Sequence, residues 1–371
     1  MWSSLVCVGL FSAAVCGAAD ESGPLITTGD HSEAELGRGK DPMQELLHWA
    51  IQHSDPEKLA GLMLKYKEQN LTLKDVYGED MLEAMFVNEA GVMQSSIDTI
   101  ADFHNNEHSN EDLEDALVRL RDLVEQVDNA LNLHVLGGLA PLLDLCVAVA
   151  IRPVSVRTEA LWTLGVAVQN NAPVQQALHD LGAVEKLVAT LPLCGSPGFT
   201  SPEGYESGDF CTKVLFAISA LARNSEVMQV QFDTLGLFDW LVDVGIEHPS
   251  ISVAKKAMAL LDTALAQNSH LNFLAGLPLR ADSISHSLLA RVHGTGDELD
   301  IDTSEKAMQL VLRLLEVMPT LFGTVFRQRL SSALHEAATR CEKSHDAELC
   351  EGFRNHADAM HLLHPSELAD L

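Results

Sequence analysis

The sequence predicts an all-α solenoid of stacked helical repeats with extra helices at both ends, and three observations carry that prediction. The first is an internal repeat. Gly137, Gly182 and Gly236 recur at intervals of 45 and 54 residues, and a shift of 54 carries Leu161 onto Leu215, Trp162 onto Phe216, Asn170 onto Asn224. A further 44 carries Asn224 onto Asn268 and Phe216 onto Leu260. The second is helical periodicity within each unit. The third is composition: 47% hydrophobic but only 5% aromatic, rich in Leu, Ala and Val, which suits helix-on-helix packing. Helical repeats of about 40–47 residues mark armadillo or HEAT arrays, in which no helix pair buries its apolar face alone.

The clearest unit is Thr158 to Leu191. Ala160, Leu161, Leu164 and Val168 form one apolar face, with Trp162, Val166 and Gln169 on a neighbouring strip. A polar turn through Gln169, Asn170, Asn171 and Pro173 leads to a second helical run in which Val174, Leu178 and Leu181 lead to Gly182, after which Val184, Leu187, Val188 and Leu191 resume the pattern. Asn170 and Asn224 are the residue type that ends helices, and we assign them to caps.

The remaining elements follow in order. Residues 1–19 read as a secretory signal: Leu5 to Val15 are apolar, small residues follow to Ala19, and the mature chain starts near Asp20. Residues 20–108 read as an acidic leader, disordered over 20–40, with a short amphipathic helix pair at 43–64 and a helical run from Met81 to Met93. The solenoid is expected over 109–364, with a tail at 365–371. Ser109 to Asp112 have the form of a helix start, and Leu113, Leu117, Leu120, Leu123, Val124 and Val127 then share a face up to a turn at Asp128-Asn129. The segment LCGSPGFTSPEGYESGD at 193–209 reads as an insertion. Asp302 to Glu305 have capping-box form at the start of a helix reaching Val317, and helices at 326–341 and 347–363 finish the chain.

Charge and cysteines narrow the function classes. Formal net charge is −29, with 24 Lys and Arg against 53 Asp and Glu, and no basic cluster that would hold phosphates, so nucleic acid and anionic membranes are disfavoured. No run after the signal is long and apolar enough to span a bilayer. Five cysteines lie beyond the signal. Cys194 and Cys211 bracket the insertion and are candidates for a bridge, as are Cys341 and Cys350, while Cys146 sits in an apolar run as a buried thiol. Asn70-Leu71-Thr72 is an acceptor for N-glycosylation.

Catalytic patterns are fragmentary. His104 and His108 have zinc-compatible spacing without the HExxH order, Cys194-Gly195-Ser196 matches a thiol-protease elbow only in part, and Asp300-Ile301-Asp302 lacks the rest of a calcium loop. We expect no catalysis, no metal and no cofactor.

In an array of this kind the last helix of each repeat lines the concave side. The repeat offsets then place a partner-binding strip at Glu159, Trp162, Val166 and Gln169, continued by Lys213, Phe216, Ala220 and Arg223, then by Leu260, Ala264 and Gln267. Trp162 is its key residue, either an aromatic anchor on that face or a core residue bridging two repeats.

At these residues a resemblance enters. LVEQVDNALNLHVLGGLAPLLDL, then ALWTLGVAVQNNAPVQQALHDLGA and LFAISALARN, resemble the Sil/Fes family of armadillo-like exchange factors for heat-shock-protein-70 chaperones, and ELLHWAIQHSDPEKL at 45–59 looks like the amino-terminal helix pair of Fes-type members. The resemblance covers roughly 105–275 well and the rest loosely. It implies a solenoid that clasps one subdomain of the chaperone's ATPase domain and favours an open nucleotide cleft, so that ADP leaves. With a signal segment it implies the luminal branch, whose partner is the endoplasmic-reticulum chaperone BiP. The end Glu367-Leu368-Ala369-Asp370-Leu371 is not a standard retention tetrapeptide, redox cysteines of some luminal members have no match, and the insertion exceeds the family pattern. The alternative reading is a secreted armadillo-like scaffold that holds a peptide or client without affecting nucleotide.

Overall fold

The computed structural model describes residues 89–104, 107–195, 207–294, 300–344 and 347–362. The signal segment, the leader helices, Asn70, most of the insertion and the tail lie outside the described residues. Among those described, every regular element is helical.

The compact unit that holds them starts at Glu89, earlier than the 109 expected for the solenoid. Its first helix, α1 (Glu89–Ala101), buries Met93, Ile97 and Ile100 against α2 (Asn110–Val124), whose core face is Leu113, Leu117, Leu120 and Val124. Ser109 and Asp112 form a reciprocal capping box that starts α2. The turn expected at Asp128-Asn129 falls instead at Glu125-Gln126, and Val127 opens the next helix exposed rather than extending the α2 face. Asn129 is buried there because its amide donates to the Glu89 carboxylate at 3.0 Å, fastening α3 to the start of α1.

From there a triplet of two short helices and one long helix repeats. It runs as α3 (Val127–Val135), α4 (Leu139–Cys146) and α5 (Val154–Val168). Next come α6 (Ala172–Asp180), α7 (Ala183–Val188) with the single turn α8 (Leu191–Cys194), and α9 (Ser207–Ala222). The third triplet is α10 (Glu226–Thr234), α11 (Leu237–Trp240) continued by a π turn to Gly245, and α12 (Ile251–Gln267). In the fourth a 3-10 stretch (Asn272–Arg280) stands for the first helix, before α13 (Ala281–His293) and α14 (Ile301–Val317). A hairpin of α15 (Thr324–Ser344) and α16 (Ala347–Leu362) ends the unit against α13. This is an armadillo-like solenoid: the long third helices α2, α5, α9, α12 and α14 stack in sequence order.

The sequence explains the repeat geometry. At the junction of first and second helix in the first three triplets stands a glycine in the left-handed region, Gly137 (φ 78°), Gly182 (φ 73°) and Gly236 (φ 80°). A β-carbon there would cost about 1–2 kcal/mol, so the recurring Gly is a backbone requirement. Asn170 (φ 54°) and Asn224 (φ 60°) turn the chain out of α5 and α9 in the same way, as the assigned helix ends require. Asn171 then caps α6 by accepting from the Val174 N–H, and its amide reaches the Val127 carbonyl of the preceding repeat at 3.1 Å. Buried polar side chains close the other inter-repeat gaps. Gln175 donates to the carbonyls of Ala220 (2.8 Å) and Arg223 (3.1 Å), and Asp233 accepts from the N–H groups of Asn272 and Phe273. Leaving such buried carbonyls or N–H groups unmet would cost about 1–3 kcal/mol each.

The α14 cap differs from expectation by two residues. Asp300, not Asp302, accepts from the Thr303 N–H, while Asp302 pairs with Lys255 and Lys306 on the surface.

Candidate functional site

The strip is built on the outward face of the third helices. Helix α5 sends Ala160, Leu161, Leu164 and Val168 into the core, all but fully buried. Glu159, Trp162 and Val166 are left half-exposed, and Gln169 is exposed just past the end of the helix. Trp162 is not a core bridge. Its ring receives two cations from neighbouring helices, the Arg121 guanidinium of α2 at 3.8 Å and the Lys213 ammonium of α9 at 3.4 Å from the ring centroid. Arg121 is itself held by an ion pair with Glu159, one turn from Trp162 on the same helix. Each cation–ring contact is worth about 0.5–2 kcal/mol, depending on how far water is excluded.

The strip continues on α9. Phe216 lies over Gly165 of α5, where an added β-carbon would sit 2.5 Å from the ring. That close approach is why α5 carries a glycine in mid-helix, at a cost of about 1 kcal/mol in helix propensity. Lys256 of α12 sits over the other end of the same region, 5.2 Å from the Phe216 ring centroid. Burial pushes the Lys213 ammonium below the ordinary lysine value; Glu159 pulls upward, and Arg121 and Lys256 push further down. Lys256 is lowered for the same first reason, burial, with Lys306 and Arg223 adding repulsion. Among the described residues, Lys213, Lys256 and Arg223 have no ion-pair partner.

The expected strip is thus partly rearranged. Glu159, Trp162, Val166, Gln169, Lys213, Phe216 and Arg223 lie on the outer surface of the third helices. Ala220, Leu260 and Ala264 do not: they are 5%, 3% and 2% exposed and face the core. The reason is periodic. In α12, Leu260 and Ala264 continue the buried row Val253, Ala257, and in α9 Ala220 joins Ala217 and Leu221. Gln267 is exposed but committed internally, accepting from the Asn224 N–H (3.1 Å) and the Gln229 amide (2.6 Å) and donating to Asn224 Oδ1 (3.1 Å). Three cations at the strip, Arg121, Lys256 and Lys306, escape a reading based on repeat offsets. A shift of 44 from Lys213 lands on buried Ala257, one residue beyond Lys256.

Cysteine and histidine positions show no reactive arrangement among the described residues. Cys194 and Cys211 form a disulfide that closes the insertion, and Cys341 and Cys350 form a second across the turn between α15 and α16. Cys146 is a buried free thiol whose ionisation burial strongly opposes, although Arg157 pulls the other way. His104 stacks on Phe103, and no group of three or more His, Cys, Asp or Glu residues is placed to hold a metal among the described residues.

The family model "Nucleotide exchange factor Fes1" matches residues 43–133, a span that ends within α3. The chain is similar to the "Hsp70 nucleotide exchange factor FES1" of Coccidioides immitis (28% identity over 187 residues, 50% of this chain and 79% of that one). It is similar to that of Saccharomyces cerevisiae at 26% over 282 residues, 74% of this chain and 86% of that one. Against the Neurospora crassa protein of the same description, identity is 32% over 149 residues, 40% and 55% of the two chains. Among solved structures, an engineered protein is similar in fold at 14% identity, with a TM-score of 0.50 over 72% of this chain and 97% of that one. A designed armadillo repeat protein in complex with a (KR)4 peptide aligns at 18% identity with a TM-score of 0.49, over 72% and 98% of the two chains. The relatives so described are exchange factors rather than catalysts of a covalent reaction. Over these spans the chain is similar to proteins described as Hsp70 nucleotide exchange factors, and its residues 43–133 match the Fes1 family model.

Proposed function

We propose that the chain is a nucleotide exchange factor that grips the ATPase domain of the endoplasmic-reticulum heat-shock protein 70, BiP, through the strip on its third helices. The observation that carries this reading is Trp162, held outside the core between Arg121 and Lys213 on a surface that spans several repeats. A rigid aromatic fixed by neighbours is the kind of residue that anchors a protein interface, because little ordering cost is left to binding. The strip acts by differential affinity. It must bind the open nucleotide cleft better than the ADP-closed one, since equal affinity would shift nothing. No proton transfer is asked of this chain.

Three features support the luminal assignment: the signal-like segment at 1–19, the acceptor at Asn70, and two disulfides, which persist in oxidising compartments. Release of fluorescent ADP from full-length BiP and from a cytosolic heat-shock protein 70, each with saturating mature chain, tests the function and its branch together. Faster release from BiP is expected. Acceleration of the cytosolic chaperone alone, or of neither, would overturn the assignment. A shift of the cellular protein on glycosidase digestion, lost in Asn70→Gln, tests the compartment separately.

A further inference from the structure

The strip carries cations in a chain whose formal charge is −29. Arg121 on α2, Lys213 on α9 with Arg223 just past its end, Lys256 on α12 and Lys306 on α14 follow successive third helices, which in packed helices lie about 8–10 Å apart. They are near enough to repel one another: Lys213 feels Arg121 and Lys256, and Lys256 feels Lys306 and Arg223. Arg121 and Lys306 have carboxylates of their own, Glu159 and Asp302. Lys213 and Lys256 have no ion pair among the described residues; Lys213 is half-buried over the Trp162 ring and Lys256 is exposed beside the Phe216 ring.

We infer that the strip binds an acidic face of the chaperone, with carboxylates of that face seated on Lys213 and Lys256; the inference rests on the proposed exchange function. Two physical points favour this occupant. The half-buried Lys213 ammonium has carboxylates nearby but no direct ion pair, so part of its desolvation cost stays uncompensated, and a partner carboxylate offsets it on docking. The cations also lie over both aromatic rings, so what an approaching surface meets there is charge and ring edge rather than an open apolar face. A long polyanion such as nucleic acid is a poor alternative. It carries a phosphate charge about every 1.7 Å and would run past the strip onto the acidic remainder of the molecule. A folded domain with a local acidic patch does not. The net acidity of the rest of the chain disfavours other docking poses for such a patch, so the same charge distribution guides orientation as well as encounter.

The test measures association of the full chain with full-length BiP by stopped flow between 50 and 500 mM NaCl, alongside ADP release. For the wild type we expect the association rate to fall by about tenfold or more across that range, as electrostatic steering requires. The double variant Lys213→Gln with Lys256→Gln should start slower and show a much flatter salt dependence. Lys213→Glu with Lys256→Glu should bind at least about tenfold more weakly again. Lys186→Gln, a change on α7 away from the strip, should behave as wild type. Circular dichroism of each variant separates lost charge from lost fold. Wild-type exchange that is indifferent to salt and to both double variants would overturn the acidic-face inference and leave the exchange reading standing. A wild type that neither binds BiP nor accelerates ADP release at any salt concentration would overturn both, and is recognisable because no variant is needed to see it.

Discussion

Trp162 owes its position to what surrounds it in sequence. Ala160, Leu161, Leu164, Ala167 and Val168 face the core from α5, and the indole falls on the outer strip beside Val166. Its two cation contacts then fix it. Trp162→Ala should remove both and weaken chaperone binding by at least about tenfold, equivalent to ~1.4 kcal/mol, while helicity stays unchanged. Titration calorimetry beside circular dichroism checks this; a collapse of helicity would return Trp162 to the core. A second prediction concerns the backbone. Gly182→Ala puts a β-carbon into the left-handed region and should destabilise the fold by about 1–2 kcal/mol, read from the urea midpoint, with no effect on the partner surface. Both residues were legible as special from the sequence, the glycine by its recurrence and the tryptophan by its off-face position. Arg121 was not, because its meaning depends on α2 standing beside α5, a relation fixed by stacking rather than by spacing.

Helix boundaries were legible where chemistry marks them and shifted where it does not. Ser109 with Asp112, and the Asn170-Asn171 turn, carry explicit side-chain caps and lie where the sequence put them. The α2–α3 junction has no such side-chain cap, and Val127 looked like another apolar position of α2 when it begins a new helix. The strip failed at Ala220, Leu260 and Ala264 because a repeat offset preserves sequence register, whereas exposure depends on how each helix is rotated in the stack. The Cys194–Cys211 bridge ties the end of α8 to α9, two residues before Lys213, across a sequence separation of 17. Closing a loop of that length restrains the unfolded chain by about 3 kcal/mol. Replacing both cysteines by serine should lower stability by about that amount or less, measured by thermal melting under non-reducing conditions. Wild type in reductant should move toward the double variant.

On the scale of the whole unit, the solenoid shares one core along its length, so its ends need covering. At the start, α1 and the following turn supply Met93, Ile97, Ile100 and Phe103 to that core. Residues 89–371 should therefore fold as a unit, but a chain cut at 109 exposes the α2 face. The shorter chain should melt at least about 10 °C lower, given that each large apolar side chain left without its partners forfeits about 1.5–3 kcal/mol. Equal melting points would mean that α1 contributes nothing to the stack. The same unit brings Arg121, Lys213, Lys256 and Lys306 together along its third helices, which is how a chain of net charge −29 offers a local positive surface.

The central claim is that this strip grips a heat-shock protein 70 and speeds loss of its ADP. The direct measurement is stopped-flow release of fluorescent ADP from BiP, with the wild-type chain and Trp162→Ala run side by side over a range of concentrations. The account predicts a concentration-dependent acceleration by the wild type and, for the variant, a curve displaced to at least about tenfold higher concentration. A wild type without effect, or a fully folded Trp162→Ala with an unchanged curve, would contradict it.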